Sequence, residues 1–325
     1  MRGTIITFDE VMREPLPPID WLVEGVLANG DRAVVYAEYG AMKTWSLLDL
    51  GLHVAAGKPW LNRFAIRKPR TVVYVDEEMN RHELWRRISR LGQSLGDVGP
   101  IRFGALSHHG VRLNDEGARR LLNEVAEWGW APDLLIIDAL RRVLIGDESM
   151  ARDVSDFWRA LEILRTTGMT IVVAHHMRKT SRTNNEARQR FSGSTDILAG
   201  ADTAYAVHRV PPDGITIECV KARSIPEPAP FGVRIVDDGP DSPVRLLYVP
   251  APDKAAKLGK AERLALEYMA EQTGPIKTGD VIRHLSAGGV AVRTAERALP
   301  KLRALDCVRN PQRGVWELAE VANGR

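Results

Sequence analysis

Short apolar runs alternate with longer amphipathic stretches between Arg32 and Val249. The stretches repeat apolar residues at helical spacing, for example Leu84, Ile88 and Leu91. The runs are apolar enough to be buried on both faces, which is typical of strands in a parallel sheet. They are RAVVYA, TVVYVD, DLLIIDA and TIVVAHH. This order predicts an α/β fold with a doubly wound, mainly parallel sheet flanked by helices.

The pattern changes after Thr203. Four short alternating runs follow one another with Pro and Gly, but no helical stretch, between them; they are TAYAVHR, GITIECVKA, FGVRIV and VRLLYV. Such runs predict β-hairpins, which we expect to extend one edge of the sheet.

The last part of the chain predicts a second, smaller domain. Residues 251–260 are rich in Ala, Lys and Gly, so we predict a linker there, after a core domain over residues 1–250. Residues 261–325 contain three short helical patterns, a turn at NPQRG and a strand at VWEL. Three helices followed by a β-wing are typical of a winged helix-turn-helix domain, whose third helix lies in the DNA major groove.

Composition indicates an ordinary globular protein. The chain of 325 residues exceeds one typical domain, and 44% hydrophobic with 27% charged residues suits a packed core. The N-terminal residues lack a signal-peptide pattern, and no apolar run reaches the ~20 residues of a membrane span, so we expect a cytoplasmic protein. Cys219 and Cys307 lack metal-ligand spacing, and we expect core positions rather than a disulfide or zinc site.

The net charge of +3 is unevenly distributed. Residues 254–325 contain 13 Lys or Arg and 8 Asp or Glu, whereas residues 1–253 contain 32 and 34. The basic excess near the C-terminus favours a polyanion partner such as DNA, although a solvated basic surface has the same composition.

A Lys-Thr pair follows the first predicted strand and begins an apolar helix. In a P-loop, backbone N–H groups cradle phosphate, the Lys contacts the β- and γ-phosphates, and the hydroxyl binds Mg²⁺. Lys43 and Thr44 occupy these positions, and Gly40 provides a flexible turn. Ala37 and Met42 replace the two motif glycines, so the pattern also fits a plain strand-turn-helix with an exposed lysine.

Polar residues end the other three buried runs. They are Asp138, the acids Asp76, Glu77 and Glu78, and the pair His175 and His176. An acid at a sheet edge can hold Mg²⁺ through water, and one of the three acids could activate the attacking water. Acids are also favoured at a helix N-terminus, which is the alternative. A neutral His at this edge can hydrogen-bond a γ-phosphate.

The segment TSRTNNEARQRF, residues 180–191, is polar, basic and without periodicity. Its residues Arg182, Arg188 and Arg190 suit an electrostatic channel for single-stranded nucleic acid. A solvated surface loop is the alternative.

These segments together resemble the RepA-like branch of the RecA superfamily, which comprises hexameric plasmid and phage replicative helicases. The resemblance covers about residues 15–250. It is carried, in order, by PPIDWLVEGVLANGDRAVVYAEYGAMKTW, LDLGLHVAAGKPW, VVYVDEEM, LLIIDALRR, AHHMRK, RFSGSTDILAGAD and VKARSIPEPAPF. It implies a RecA-like P-loop ATPase that uses ATP and Mg²⁺, forms a homo-oligomeric ring, and acts on DNA in plasmid, phage or mobile-element replication.

The resemblance also implies roles for individual residues. Nucleotide contacts fall on Gly40, Ala41, Met42, Lys43, Thr44 and Trp45, and magnesium contacts fall on Thr44 and Asp138. Glu78, ahead of Glu77, becomes the catalytic base, and His176 becomes the γ-phosphate sensor.

Lys221 and Arg223 in VKARS resemble a Lys-x-Arg pair that reaches the nucleotide of a neighbouring subunit. Such a finger supplied by another subunit would make hydrolysis depend on assembly. The chain departs from some RepA helicases by lacking an Arg near Asp202, where those proteins carry their finger.

The predicted winged helix offers a second set of DNA contacts. They are Arg293, Thr294, Arg297 and Lys301 on the third helix, and Arg313 in the wing. A solvated charged helix face is the alternative.

Two functions from different classes fit these patterns. The first is an ATP-driven ring motor that acts on DNA. The second is a nucleotide-controlled DNA-binding initiator or regulator with little ATP turnover, because a side chain at Met42 could crowd the β-phosphate. Hydrolysis that rises with single-stranded DNA would favour the motor.

Overall fold

The computed structural model describes residues 7–13, 15, 17–37, 40–176, 195–210, 214–251, 258–272, 274–304 and 307–318. The basic segment that carries Arg182, Arg188 and Arg190 lies outside these ranges, as does most of the predicted linker. No helix within them is long and apolar enough to cross a membrane.

A short hairpin and a nine-stranded sheet form the larger part of the molecule. The hairpin strands are β1 (Trp21–Val23) and β2 (Leu27–Ala28). The sheet strands are β3 (Arg32–Ala37), β4 (Val72–Asp76), β5 (Phe103–Ser107), β6 (Leu134–Asp138), β7 (Thr170–His176), β8 (Thr203–Val210), β9 (Gly214–Ala222), β10 (Phe231–Asp237) and β11 (Val244–Pro250). Their spatial order is β11-β10-β9-β8-β3-β7-β6-β4-β5.

The six strands from β8 to β5 are parallel to one another. The strands from β8 to β11 pair antiparallel, as a meander on one edge. The predicted α/β class, with a mainly parallel sheet extended by hairpins, is therefore confirmed.

Helices cover both faces of the sheet. They are α2 (Lys43–Ala56), α3 (Arg81–Ser94), α4 (Asp115–Glu127), α5 (Leu140–Val143), α6 (Ala151–Arg165) and α7 (Thr195–Gly200). A further helix near the N-terminus, α1 (Phe8–Arg13), is exposed. Helices α2 and α3 share one apolar core with the sheet, and α4 and α6 share the other. Gly51 brings α2 close to the sheet, because a Cβ at this position would lie 3.0 Å from the Phe103 ring and 3.2 Å from Ile136.

Residues 258–318 build a separate core. Its elements are α8 (Lys260–Ala270), β12 (Ile276–Lys277), α9 (Thr278–Ala287), α10 (Val292–Ala304), β13 (Val308–Gln312) and β14 (Val315–Leu318). The strands form a sheet in the order β12-β14-β13. Leu258, inside the predicted linker, is only 3% exposed and packs in this core, so packing begins earlier than the composition suggested.

The predicted turn NPQRG is shorter in the structure. Strand β13 continues through Pro311 to Gln312, and only Arg313 and Gly314 form the turn. The pairing with β14 shifts register between Arg309 and Gln312. Such an irregularity accommodates a proline, which cannot donate to a regular ladder.

Candidate nucleotide site

Gly40, Ala41 and Met42 form a turn that leads into α2 at the carboxyl edge of the parallel sheet. Gly40 has φ +75°, Ala41 is 1% exposed, and Lys43 begins α2. The first backbone N–H groups of a helix have no partner within the helix, and the helix dipole adds positive potential there. This turn is therefore suited to bind phosphate.

Met42 adopts the left-handed backbone conformation, with φ 53° and ψ 25°. Glycine enters this region without penalty, whereas other residues cost roughly 1–2 kcal/mol. The Gly-to-Met replacement in the motif has thus kept the glycine-type backbone, with the strain that a side chain adds.

We expect substitutions at Met42 to report this strain. Met42→Gly should change the free energy of unfolding by no more than about 1 kcal/mol, since relief of strain opposes the added freedom of the unfolded chain. Met42→Val should lower it by more than about 1 kcal/mol, because β-branched residues fit φ > 0 poorly. Urea unfolding midpoints measure both effects. A valine variant as stable as the wild type would contradict the left-handed assignment.

Four side chains meet below this turn. Nζ of Lys43 lies 3.0 Å from Oδ1 of Asp138, and the two side chains are 5% and 1% exposed. The hydroxyls of Thr44 and Tyr74 both donate to Oδ2 of Asp138, over 2.7 Å and 2.9 Å. Lys43 and Asp138 thus form a buried ion pair.

This arrangement fits a phosphate and a magnesium ion. The side-chain ammonium of Lys43 is suited to bind phosphate oxygens. The oxygens of Thr44 and Asp138 are the hard ligands that Mg²⁺ prefers. The described residues contain no group of three or more His, Cys, Asp or Glu that could hold a metal. Magnesium bound here would take water and phosphate as its other ligands, which is usual for this ion.

The three acids after β4 have different partners. The carboxylate of Asp76 accepts hydrogen bonds from the backbone N–H groups of Glu78 (3.1 Å) and Met79 (3.2 and 3.3 Å to its two oxygens). The carboxylate of Glu77 accepts from backbone N–H groups in the loop at residues 110–111. Asp76 and Glu77 therefore hold the backbone, which leaves the Glu78 side chain to face the site.

Glu78 contacts His176 on the neighbouring part of the edge. Oε1 of Glu78 lies 3.1 Å from Nε2 of His176. The hydrogen bond from His176, together with the positive charge of Lys43, lowers the pKa of Glu78 although partial burial opposes this. Glu78 is therefore ionised at neutral pH and can accept a hydrogen bond or a proton from water.

Two neighbouring groups have pKa values shifted mainly by burial. Burial, followed by the charges of Lys43 and His176, lowers the pKa of His175 to about 4, so this ring is neutral at pH 7. Burial raises the pKa of Asp76 to about 6, against the hydrogen bonds from the Glu78 and Met79 backbone. Such shifts are frequent where chemistry occurs.

Strand register explains why these residues meet. Ala37 at the end of β3 pairs with His176 at the end of β7, and Asp76 at the end of β4 pairs with Asp138 at the end of β6. Strand β7 lies between β3 and β6. The carboxyl ends of β3, β4, β6 and β7 therefore place the loop with Lys43, the acids that follow β4, Asp138 and His176 at one edge of the sheet.

Lys221 and Arg223 lie near the end of the sheet at which β3 begins, opposite the carboxyl edge that carries Lys43. The register pairs Lys221 with Ala204, and Thr203 with Ala33 near the start of β3. The site follows Ala37, four residues further on, which is roughly 13 Å along a strand. Within this chain the two residues are therefore away from Lys43.

Lys221 already has partners at that end of the sheet. Its Nζ donates to the backbone carbonyls of Leu198 (hydrogen bond of 2.5 Å) and Ala199 (2.9 Å), at the end of α7. Burial, and then the charge of Arg223, lowers the pKa of Lys221. Arg223 itself is exposed. Arg223 is thus the better placed of the pair to reach another molecule.

Sequence reasoning missed two side chains at the site. Tyr74 holds Asp138, and its only signal was a phenol within an otherwise aliphatic strand. Arg209 lies near the end of β8, beside β3, and a Cβ on Gly40 would lie 3.9 Å from its Nη1. Its guanidinium thus lies next to the turn. The predicted nucleotide contact Trp45 stacks under Arg87, whose guanidinium carbon lies 4.9 Å from the ring centroid.

The predicted DNA contacts are spread over exposed positions. Arg293, Thr294 and Arg297 are exposed on α10, and Arg313 is exposed in the turn after β13. Lys301 forms an ion pair with Glu262 over 3.1 Å. Arg182, Arg188 and Arg190 lie outside the described residues.

The sheet order, the turn before α2 and the acidic strand ends together define a RecA-like P-loop ATPase. A family model described as an AAA domain matches residues 4–182, more than half of the chain, and the chain belongs to this family. Among solved structures, the "ATPase Domain of G40P" is similar in fold, with a TM-score of 0.53 and 10% identity over 68% of this chain and 86% of that chain. No curated protein sequence matches the chain.

Proposed function

We propose that this P-loop ATPase is a DNA-associated motor of the RepA-like helicase type, acting in the replication of a plasmid, phage or mobile element. The observation that carries the proposal is the meeting of Lys43, Thr44, Asp138, Glu78 and His176 at one sheet edge. ATP is the substrate and Mg²⁺ the cofactor.

In the proposed mechanism Lys43 and the N-terminus of α2 bind the β- and γ-phosphates. Thr44 would contact Mg²⁺ directly and Asp138 through water, and the ion would neutralise phosphate charge. Glu78 accepts a proton from water as the water oxygen bonds to the γ-phosphorus. The bond to the β,γ-bridging oxygen breaks, and ADP and phosphate leave. His176 hydrogen-bonds the γ-phosphate. When this phosphate leaves, the hydrogen bond is lost and the contact between His176 and Glu78 changes.

Assembly of several subunits would supply further positive charge to the nucleotide site. We propose a homo-oligomeric ring, a hexamer as in RepA helicases, in which Lys221 and Arg223 belong to the neighbour's site. The location of both residues at the edge away from their own Lys43 supports this, as does the exposure of Arg223.

DNA would bind in two places. We propose that single-stranded DNA contacts the core through Arg182, Arg188 and Arg190. We further propose that residues 261–325, joined through a linker at 251–260, form a winged helix that binds duplex DNA. Its three helices and three-stranded sheet support this. Its proposed contacts are Arg293, Arg297, Lys301 and Arg313.

The test is Mg²⁺-ATP turnover by the purified chain with and without single-stranded DNA. We expect turnover that rises with DNA and disappears in Lys43→Ala. Because this variant leaves Asp138 without its buried counter-ion, Lys43→Met, which retains the side-chain volume, and a circular dichroism spectrum serve as controls for folding. Bound nucleotide without turnover would reject the motor and favour the nucleotide-controlled initiator or regulator.

A further inference from the structure

Trp85 is the most exposed of the eight tryptophans. It lies on α3 and is 68% exposed, whereas Trp60, Trp158 and Trp316 are buried. In the part of the chain that the structure describes, no aromatic ring or guanidinium stacks on it. An exposed indole offers a flat, rigid ring on which a partner can stack.

Two arginines and a histidine surround this indole on the outer face of α3. Arg81, His82, Trp85 and Arg86 are all exposed, and their spacing of three and four residues puts them on one side of the helix. Leu84 and Leu91 are buried on the other side. We call these four residues the Trp85 patch.

The positive charge of the Trp85 patch is only partly compensated. Arg81 makes no ion pair within the described ranges. Arg86, 53% exposed, pairs with Glu83 at 3.2 Å, and its charge also acts on Asp237. Glu83 also binds Arg87, so a single carboxylate serves two guanidinium groups. The patch therefore attracts an anionic partner.

The patch continues directly from the candidate catalytic centre. Asn80 caps α3 by accepting a hydrogen bond from the Glu83 backbone, and it follows Glu78 by two residues. A ligand bound to the first two turns of α3 would thus affect the position of the turn that carries Glu78.

Single-stranded nucleic acid suits this surface better than a protein. Trp85 is the one large apolar side chain exposed on α3, and one indole among cations does not form the apolar centre that a stable protein interface needs. An aromatic platform with nearby arginines is the combination that binds single strands, because bases stack on the ring and phosphates pair with the cations.

We propose that the Trp85 patch binds single-stranded DNA, with one base stacked on the Trp85 indole and adjacent phosphates on Arg81 and Arg86. The inference rests on the proposed function in that it names a contact for the same DNA partner. It adds a route by which bound DNA affects the position of Glu78.

The experiment measures binding of fluorescein-labelled dT20 to the full chain by fluorescence anisotropy at fixed salt. We expect Trp85→Ala to weaken binding about ten-fold, since loss of one base-stacking contact costs a factor of this order. Trp85→Phe should retain most of the affinity. Trp128→Ala removes the other exposed tryptophan, 43% exposed on the turn after α4, and should bind like the wild type.

ATP turnover is measured on the same proteins. Without DNA, Trp85→Ala should match the wild type, whereas the DNA concentration that gives half-maximal stimulation should rise by a similar factor. Equal dT20 affinity of the Trp85→Ala and Trp128→Ala variants would overturn the proposal, as would wild-type protein that does not bind dT20. Unchanged dT20 affinity with a smaller assembly in sedimentation would assign the patch to a subunit contact instead.

The proposed motor function and the proposed role of the Trp85 patch can be rejected independently of each other. Wild-type protein that binds dT20 through Trp85 but does not hydrolyse ATP would reject the motor and keep the patch. Wild-type protein that hydrolyses ATP in response to DNA, with Trp85→Ala unaffected in binding and stimulation, would keep the motor and reject the patch.

Discussion

Glu78→Gln should lower ATP turnover by about 100-fold or more and leave ATP binding close to that of the wild type. A general base contributes roughly 10²- to 10⁴-fold to the rate, and Gln cannot accept a proton from water. Gln can still contact Nε2 of His176, so the geometry of the edge should survive. Steady-state turnover and ATP titration by calorimetry separate the two effects.

Glu77→Gln is the matched control for this prediction. The two glutamates are adjacent, but the carboxylate of Glu77 accepts backbone N–H groups at residues 110–111, which the amide oxygen of Gln can also do in part. We expect at most a modest loss of turnover. A strong loss in Glu77→Gln, with Glu78→Gln active, would reverse the proposed assignment.

Arg223→Ala should lower turnover about 1,000-fold without changing the unfolding midpoint, because an arginine supplied to the neighbouring site contributes 10³- to 10⁵-fold. Arg223 is exposed and lies away from Lys43 of its own chain, so an effect on turnover requires a second subunit.

Mixing inactive variants provides the decisive readout for Arg223. Lys43→Ala subunits retain the arginine, and Arg223→Ala subunits retain the lysine. A ring that contains both has interfaces with a complete site, so mixed protein should recover turnover that neither variant shows alone. Arg245→Ala changes a partly exposed arginine on the edge strand β11 and should be active by itself. Absence of recovery in a confirmed mixed ring would contradict a finger supplied in trans.

The sheet and the loop before α2 were readable from the sequence because they depend on local pattern. Buried strands need continuous apolar runs, and these runs predicted β3, β4, β6 and β7 close to their observed bounds. The Lys43–Thr44 pair was recognisable in the same way, since a phosphate-binding turn requires its residues in fixed sequence order.

The backbone conformation of Met42 could not be predicted from local sequence pattern. The motif told us that glycine is usual at this position, but only the backbone angles, with φ at 53°, show that methionine adopts the same left-handed turn. The side chain changes the strain at the turn and leaves its path in place.

The roles of the three acids after β4 depended on tertiary structure. Asp76, Glu77 and Glu78 are chemically alike and adjacent, so sequence could rank them only by resemblance. Their distinction comes from backbone N–H groups in the chain that folds against them, including those at residues 110–111. A carboxylate that accepts such bonds is held by the backbone, and one without them is available to the site.

The sequence by itself determined the class of sheet, the lysine loop and the acidic strand ends, because periodicity and motif spacing are properties of neighbouring residues. Tertiary structure alone decided that Tyr74 holds Asp138, that Arg209 lies beside Gly40, and that Lys221 and Arg223 lie at the far edge. These contacts join residues far apart in the chain, and strand order and register, which no local pattern encodes, bring them together.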